Sequence, residues 1–201
     1  MDIFVSTFLK MFFIMTPFFV LSVFLTMTNE ATVQEKRALA IKVTVAVIVT
    51  SLVLLYFGKH IFSVFGITLD AFRIGAGALL FLSAVELVKG NKESAKAQEK
   101  ALSEIAVVPL AIPVTIGPGT IGILLVMGAS FESTSSLIVG SIALVCAVIV
   151  IGMMLYSASI IEKLVGKQGL LVISKITGLF LAALSAQIIF TGIKNFLGLD
   201  T

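Results

Sequence analysis

Six stretches of this chain are almost unbroken runs of apolar residues, and most of the charges lie between them. The runs are Ile3 to Met27, Leu39 to Phe57, Phe72 to Val88, Ile105 to Met127, Leu137 to Ala158 and Ile176 to Leu197. The runs are 17 to 25 residues long, enough for a helix to cross ~30 Å of hydrocarbon. None shows the polar–apolar alternation of a half-buried strand. The pattern therefore predicts an all-α, polytopic membrane protein of six transmembrane helices, forming one membrane domain over residues 1–201.

Two of the runs are interrupted. Ile105 to Met127 contains three of the four prolines (Pro109, Pro113, Pro118) together with Gly117, Gly119 and Gly122. A proline inside a helix removes a backbone donor and presses on the carbonyl four residues back. In hydrocarbon the freed groups find no water, so a broken spanning helix is tolerated only inside protein or beside a polar cavity. The first run breaks at Thr16-Pro17, where Thr suits an N-cap and Pro the first helical position. In the fourth run Gly117 and Pro118 hold the equivalent places. Helices 1 and 4 are thus expected to be broken, each with a second half that begins at its proline. The simpler alternative is a proline kink with a packing role, since Gly and Pro are common in spanning helices.

The halves of the chain resemble each other. Pro17 recurs as Pro118, Tyr56 as Tyr156, Gly66 as Gly166, Arg73-Ile74 as Lys175-Ile176, Leu82-Ser83-Ala84 as Leu184-Ser185-Ala186 and Gly90 as Gly192, at offsets of 100 to 102 residues. With three spans in each half, the second enters the membrane the other way up: a 3+3 inverted repeat, a plan common among secondary transporters. The halves are approximately 1–92 and 104–201, joined by a charged loop over 89–104 with four Lys and three Glu. Gly75 and Gly77 give the third span a face suited to close helix contact. Gly58-Lys59-His60 is expected to end the second span.

Charge fixes the orientation. Lys36, Arg37, Lys42, Lys89, Lys92, Lys96, Lys100, Lys163, Lys167 and Lys175 follow the odd-numbered spans, whereas Lys59, Arg73 and Lys194 lie on the other side, with Lys10 near the first entry. By the positive-inside rule the first set is cytoplasmic and both termini lie outside. Lys10 is expected to snorkel to the interface, with a functional lysine as the minor alternative.

Composition narrows the function. Charged residues make up 12% of the chain, half the share of a soluble domain. Bases are not interleaved with aromatics in the manner that stacks nucleotides, so no nucleic acid is expected. Cys146 is the lone cysteine and His60 the lone histidine, with no ligand spacing for a metal and no nucleophile–base pair. The run GPGTIG lacks the lysine of a phosphate-binding loop. An enzyme is not expected, nor a cofactor or a metal; the partners expected are the lipid bilayer and a small solute.

The breaks supply candidate chemistry. Two helix N-termini near the bilayer midplane each carry about half a positive charge and unpaired N–H groups, which suits a carboxylate or another small anion. Unwound carbonyls around Thr115 to Gly117 suit an ammonium group. The candidate substrate-binding residues are Thr16, Pro17, Pro113, Thr115, Gly117, Pro118, Gly119 and Thr120. Ser83 and Gln187 are wall residues, and Ser22 and Ser185 add hydroxyls. The serines serve helix packing equally well. No charged residue is expected at the midplane, which favours a small zwitterion with a neutral side chain. Glu86, the one acid within a spanning core, is a candidate for coupling to H+; an interfacial acid beside Lys89 is the alternative. A membrane scaffold or regulator is the competing function class, as is an exporter of another small metabolite.

Three runs carry a family resemblance: VPLAIPVTIGPGTI (Val108 to Ile121), FGITLDAFRIGAGALL (Phe65 to Leu80) and LVGKQGLLVISKITGLF (Leu164 to Phe180). They resemble the MarC family of bacterial and archaeal inner-membrane proteins, over essentially the whole chain. The resemblance implies six spans in two inverted halves and a place in the cytoplasmic membrane. Similarity to the small neutral amino acid transporter branch implies uptake or exchange of glycine- or alanine-like solutes; H+ or Na+ is the coupling partner to consider, and the sequence does not choose between them. The implied site is the break at Pro113 to Gly119. One departure stands out. The family's first-span motif has Asn or Asp before the proline and a Gly-Asn pair and another proline after it. This chain has Thr16, Phe19-Val20 and Ser22 there, which makes that half of the site more apolar.

Overall fold

The computed structural model describes residues 2–29, 31–89 and 115–199, and every regular element among them is a helix. In chain order these are α1 (Asp2–Ile14), α2 (Pro17–Met27), α3 (Val33–Phe65), α4 (Leu69–Lys89), α5 (Pro118–Ser130), α6 (Thr134–Tyr156) and α7 (Ala158–Phe196). Among the described residues, five stretches are long and apolar enough to cross a membrane: Ile3–Met27, taken across the α1–α2 break, then Val33–Gly58, Leu69–Lys89, Thr134–Tyr156 and Ala158–Phe196. Helix α5 is apolar but only 13 residues long, which gives it about 20 Å. The upstream part of the fourth run, with Pro109 and Pro113, lies outside the described residues, as does most of the 89–104 loop.

The first expected break is present, between α1 and α2; of the second, the start of α5 lies among the described residues and the first half of that run lies outside them. Helix α2 opens on Pro17 and α5 on Pro118, with Thr16 and Gly117 at the N-cap positions. Gly66 and Gly166, paired by the internal repeat, both have left-handed φ, at 63° and 71°. Gly66 closes α3 as its C-cap, and Gly166 bends α7 within its length.

Two boundaries differ from expectation. The second apolar span ends at Gly58 as expected, but the helix does not: α3 runs on to Phe65, and the missing Cβ of Gly58 leaves room for the Leu125 backbone of α5. Likewise the region before Ile176 is not a loop but the first part of α7, turned at Gly166. Helix α3 also starts earlier than expected, where Thr32 and Glu35 form a capping box. Ser133 and Ser136 build the same device at the start of α6.

Close packing is organised by small residues, as suits helices that gain nothing from burying apolar surface away from lipid. Helix α4 lies antiparallel to α7: a Cβ on Gly192 would meet the Asp70 carbonyl at 2.9 Å, one on Gly77 the Ser185 carbonyl at 3.2 Å, and one on Gly178 the Ala84 carbonyl at 3.1 Å. Gly75 has no such contact among the described residues, so the expected Gly75/Gly77 face reduces to Gly77. Helix α3 lies antiparallel to α5, Gly58 on Leu125 and Gly128 on Leu55, backbone to backbone. Gly119 and Gly122 of α5 rest on Leu80 and Ala76 of α4. Helix α3 meets α6 through Thr44 on Gly152, and Arg37 lies 4.8 Å above the Tyr156 ring.

These contacts share a property. The extensive helix pairs (α4 with α7, α3 with α5, α4 with α5, α1 with α6, α3 with α6, α2 with α7) all join the first four helices to the last three. A large core results, with Met11, Phe24, Leu55, Leu80, Leu144 and Leu181 within it, and a smaller cluster of Phe62, Leu125 and Val126 lies apart from it. On α3 the outer face repeats every four residues, Ile41, Val45, Val49 and Val53, each half exposed. A helix apolar on both faces is what a bilayer-embedded element requires.

Candidate functional site

Thr16 is the most unusual backbone position. Its φ of 48° and ψ of 58° are left-handed, and it is the one non-glycine residue with positive φ among those described. The conformation follows from the break: Thr16 N–H still bonds back to Phe13 while its carbonyl already accepts from Val20. The two helical ladders meet at one residue, which absorbs the turn between them. An N-cap normally has extended φ/ψ, the geometry that lets its side chain reach the next turn. In the left-handed conformation the Thr16 hydroxyl makes no capping hydrogen bond, contrary to its expected role.

The second break is built differently. Gly117 is extended (φ −74°, ψ 173°), and its carbonyl accepts from Ile121 N–H to start α5. Gly119 sits on Leu80, where a Cβ would lie 2.8 Å from the Leu80 Cα. Thr115 and Thr120 are buried beside it, as Thr16 and Pro17 are at the first break. The N–H groups of the first turns of α2 and α5 have no acceptor within their own helices.

A cleft of about 320 Å³ opens between α1, α4, α5 and α7. Its polar lining is Thr7 and Lys10 from α1, Arg73 from α4, Ser130 from α5, and Gln187 and Thr191 from α7. It reaches Ile14, two residues before the first break, and Ile123, about one turn beyond Pro118. Its volume is at the lower end of the roughly 300–1,000 Å³ usual for ligand sites, a fit for a small solute.

Arg73 is fixed at the rim. Its Nη1 donates to Asp70 Oδ1 at 2.7 Å and its Nη2 to Ser130 Oγ at 2.8 Å. Ser130 Oγ in turn donates to the Val126 carbonyl, and Asn195 Nδ2 donates to the same Asp70 oxygen at 3.3 Å. Three helices are tied by one guanidinium–carboxylate pair, a use of two separate donors that lysine cannot reproduce. Lys10 also lines the cleft, and no acid lies within ion-pair distance of it among the described residues.

Of the residues singled out from sequence, Gln187 lines this cleft, and Thr16, Pro17, Thr115, Gly117, Pro118, Gly119 and Thr120 form the two breaks. The serines face their own helices: Ser83 Oγ donates to the Leu79 carbonyl, and Ser185 Oγ to those of Leu181 and Ala182. Ser22 lends its carbonyl to Thr26. Glu86 is exposed, with no ion pair among the described residues. Pro113 lies outside them. Sequence reasoning passed over Arg73 and Ser130 as cleft residues and gave Lys10 only a minor role. The available signal was Lys10 itself, a base within an apolar run, which marks a functional position by default. Among the described residues no group of three or more His, Cys, Asp or Glu is placed to hold a metal ion.

The family model for MarC family integral membrane proteins matches residues 1–197. The chain belongs to the MarC family. A UPF0056 membrane protein of Aquifex aeolicus is 36% identical over 97% of this chain and 94% of its own length. Another from Pyrococcus abyssi is 34% identical over 98% and 96%, and one from Methanocaldococcus jannaschii 31% over 96% and 97%. No solved structure matches. As a MarC-family chain it is an integral membrane protein with several apolar helices and with relatives in bacteria and archaea.

Proposed function

We propose that this MarC-family protein is a secondary transporter that moves a small neutral amino acid or similar solute across the cytoplasmic membrane by alternating access. The observation that carries the reading is the pair of proline-opened helices, α2 and α5, set inside a spanning bundle beneath a small polar cleft. Interrupted helices at membrane depth are where transporters expose backbone groups to solute. The first-turn N–H groups of α2 and α5 suit a carboxylate.

The 3+3 inverted repeat belongs to this reading. It is supported by the matched prolines at both breaks, by the two left-handed glycines one repeat apart, and by the antiparallel pairing of α4 with α7, the third spans of the two halves. The cleft then faces outward, since Asp70, Ser130 and Asn195 gather at its rim on the side with few bases. Both termini lie on that outer side. The solute would be held between Thr16-Pro17 and Thr115 to Thr120, with Glu86 as a candidate for H+ coupling.

Uptake into proteoliposomes tests it. Radiolabelled glycine, alanine and serine should accumulate under an imposed H+ or Na+ gradient, and Gly119→Leu, which forces a side chain onto the Leu80 backbone, should abolish uptake. Folded, reconstituted wild-type protein that moves none of them under either gradient would overturn the amino acid reading.

A further inference from the structure

The cleft holds an imbalance of charge. Arg73 and Asp70 form a close pair, and Asn195 takes up the same carboxylate oxygen. Lys10 is left as the cation without a counter-ion among the described residues, and it lines the cleft with Thr7, Ser130, Gln187 and Thr191. Counted from Ile3, it lies about 10 Å along α1, well below the start of the apolar run. At that depth a base is costly unless it faces water or an opposite charge.

We infer that the cleft is a docking site for one carboxylate group, with the Lys10 ammonium as its counter-ion. The inference deepens the transport reading and rests on it for treating the ligand as a solute in transit. Three features favour a small monocarboxylate. The net formal charge of the cleft groups with Asp70 is one positive, matched by a single negative charge. The volume, about 320 Å³, admits a small solute with some water. Thr7 and Gln187 offer hydroxyl and amide donors to the remaining lone pairs of a carboxylate, and Thr191, whose hydroxyl already donates to the Gln187 carbonyl at 2.8 Å, can accept from an amine. Arg73 spends two of its five N–H donors within the protein and its charge is matched by Asp70, whereas the Lys10 charge is not matched among the described residues. Lys10 is thus the outer docking group, and the helix breaks lie further along the same path.

Calorimetric titration of purified protein in an uncharged detergent tests this, with glycine, acetate, glycinamide and inorganic phosphate as probes. Glycine and acetate should bind, and glycinamide, which keeps the amine but has no carboxylate, should bind at least tenfold more weakly. Lys10→Met should weaken glycine and acetate at least tenfold, and Lys10→Arg, which keeps the charge, should restore most of the affinity. Glycinamide binding as tightly as glycine, phosphate binding as tightly as acetate, or an unchanged Lys10→Met would each overturn the docking role. Uptake assays separate the two readings. Glycine uptake by Lys10→Met with an unaltered KM would sink the docking site and leave transport standing. Lys10-dependent acetate binding in a protein that transports no probe would do the reverse.

Discussion

Thr16 holds a conformation that an L-residue adopts at a cost of roughly 1–2 kcal/mol, and a β-branched side chain makes it worse. Strain of this kind persists where the surroundings over-determine it, and it gathers at functional sites. Glycine would adopt the same φ and ψ freely but gives back about 0.5–1 kcal/mol in chain entropy. Thr16→Gly is therefore expected to stabilise the protein by up to about 1 kcal/mol, seen as a raised midpoint of thermal unfolding in detergent. A lowered midpoint would mean that Thr16 contributes packing worth more than its strain. The break was legible in the sequence as Thr-Pro in an apolar run. The left-handed turn was not, because the residue type argues against it and the geometry is imposed by the helices on either side. Lys10 was visible but under-read: that it faces a cleft and has no acid nearby depends on where α4, α5 and α7 come to rest.

Helices α3 and α5 meet through glycines that admit the neighbouring main chain. A Cβ on Gly128 would collide with the Leu55 carbonyl, whereas a Cβ on Gly75 would meet nothing among the described residues. Gly128→Ala should thus destabilise by about 1–3 kcal/mol through overpacking. Gly75→Ala should be neutral or gain up to about 1 kcal/mol from helix propensity. Equal midpoint shifts for the two would show that the α3–α5 seam is not held as described. This contrast also shows why the span boundaries were only partly legible. A Gly followed by polar residues reads as a helix end, and at Gly66 the left-handed C-cap makes it one. At Gly58 the same signal marks a contact, a distinction that needs the partner helix. Hydropathy located the long apolar helices correctly because length and composition set them locally. The turn at Gly166 escaped it, because helical residues continue on both sides.

The direction of insertion is the next consequence of the charge distribution. With Cys146 replaced by Ala, single cysteines at Ser133 and Asn195 should react with a membrane-impermeant maleimide added to intact cells. A cysteine at Gln34 should react only after lysis. The opposite pattern would invert the assignment and turn the Lys10 cleft toward the cytoplasm. The pairing of the helices also constrains the motion in the transport reading. A rocking of residues 1–92 against 104–201 would pull apart every extensive pair at once, α4 from α7 and α3 from α5. Because these pairs share members and link all seven helices in one series, any opening has to separate or slide at least one of them.

That interlacing governs how the protein comes into being. A ribosome delivers about 5–20 residues per second, N-terminus first. Helices α1 to α4 therefore reach the bilayer before any of their main partners exists: Thr44 precedes Gly152, Leu80 precedes Gly119, and Asp70 precedes Gly192. Their main chains are already satisfied as helices, so they can wait in lipid without unpaired groups. Their glycine seats stay empty, and Arg73 lacks the Ser130 that fixes one of its nitrogens. Packing is thus deferred until α5 and α6 arrive and is completed only by α7, and a nascent chain arrested before α5 holds inserted helices without their main partners.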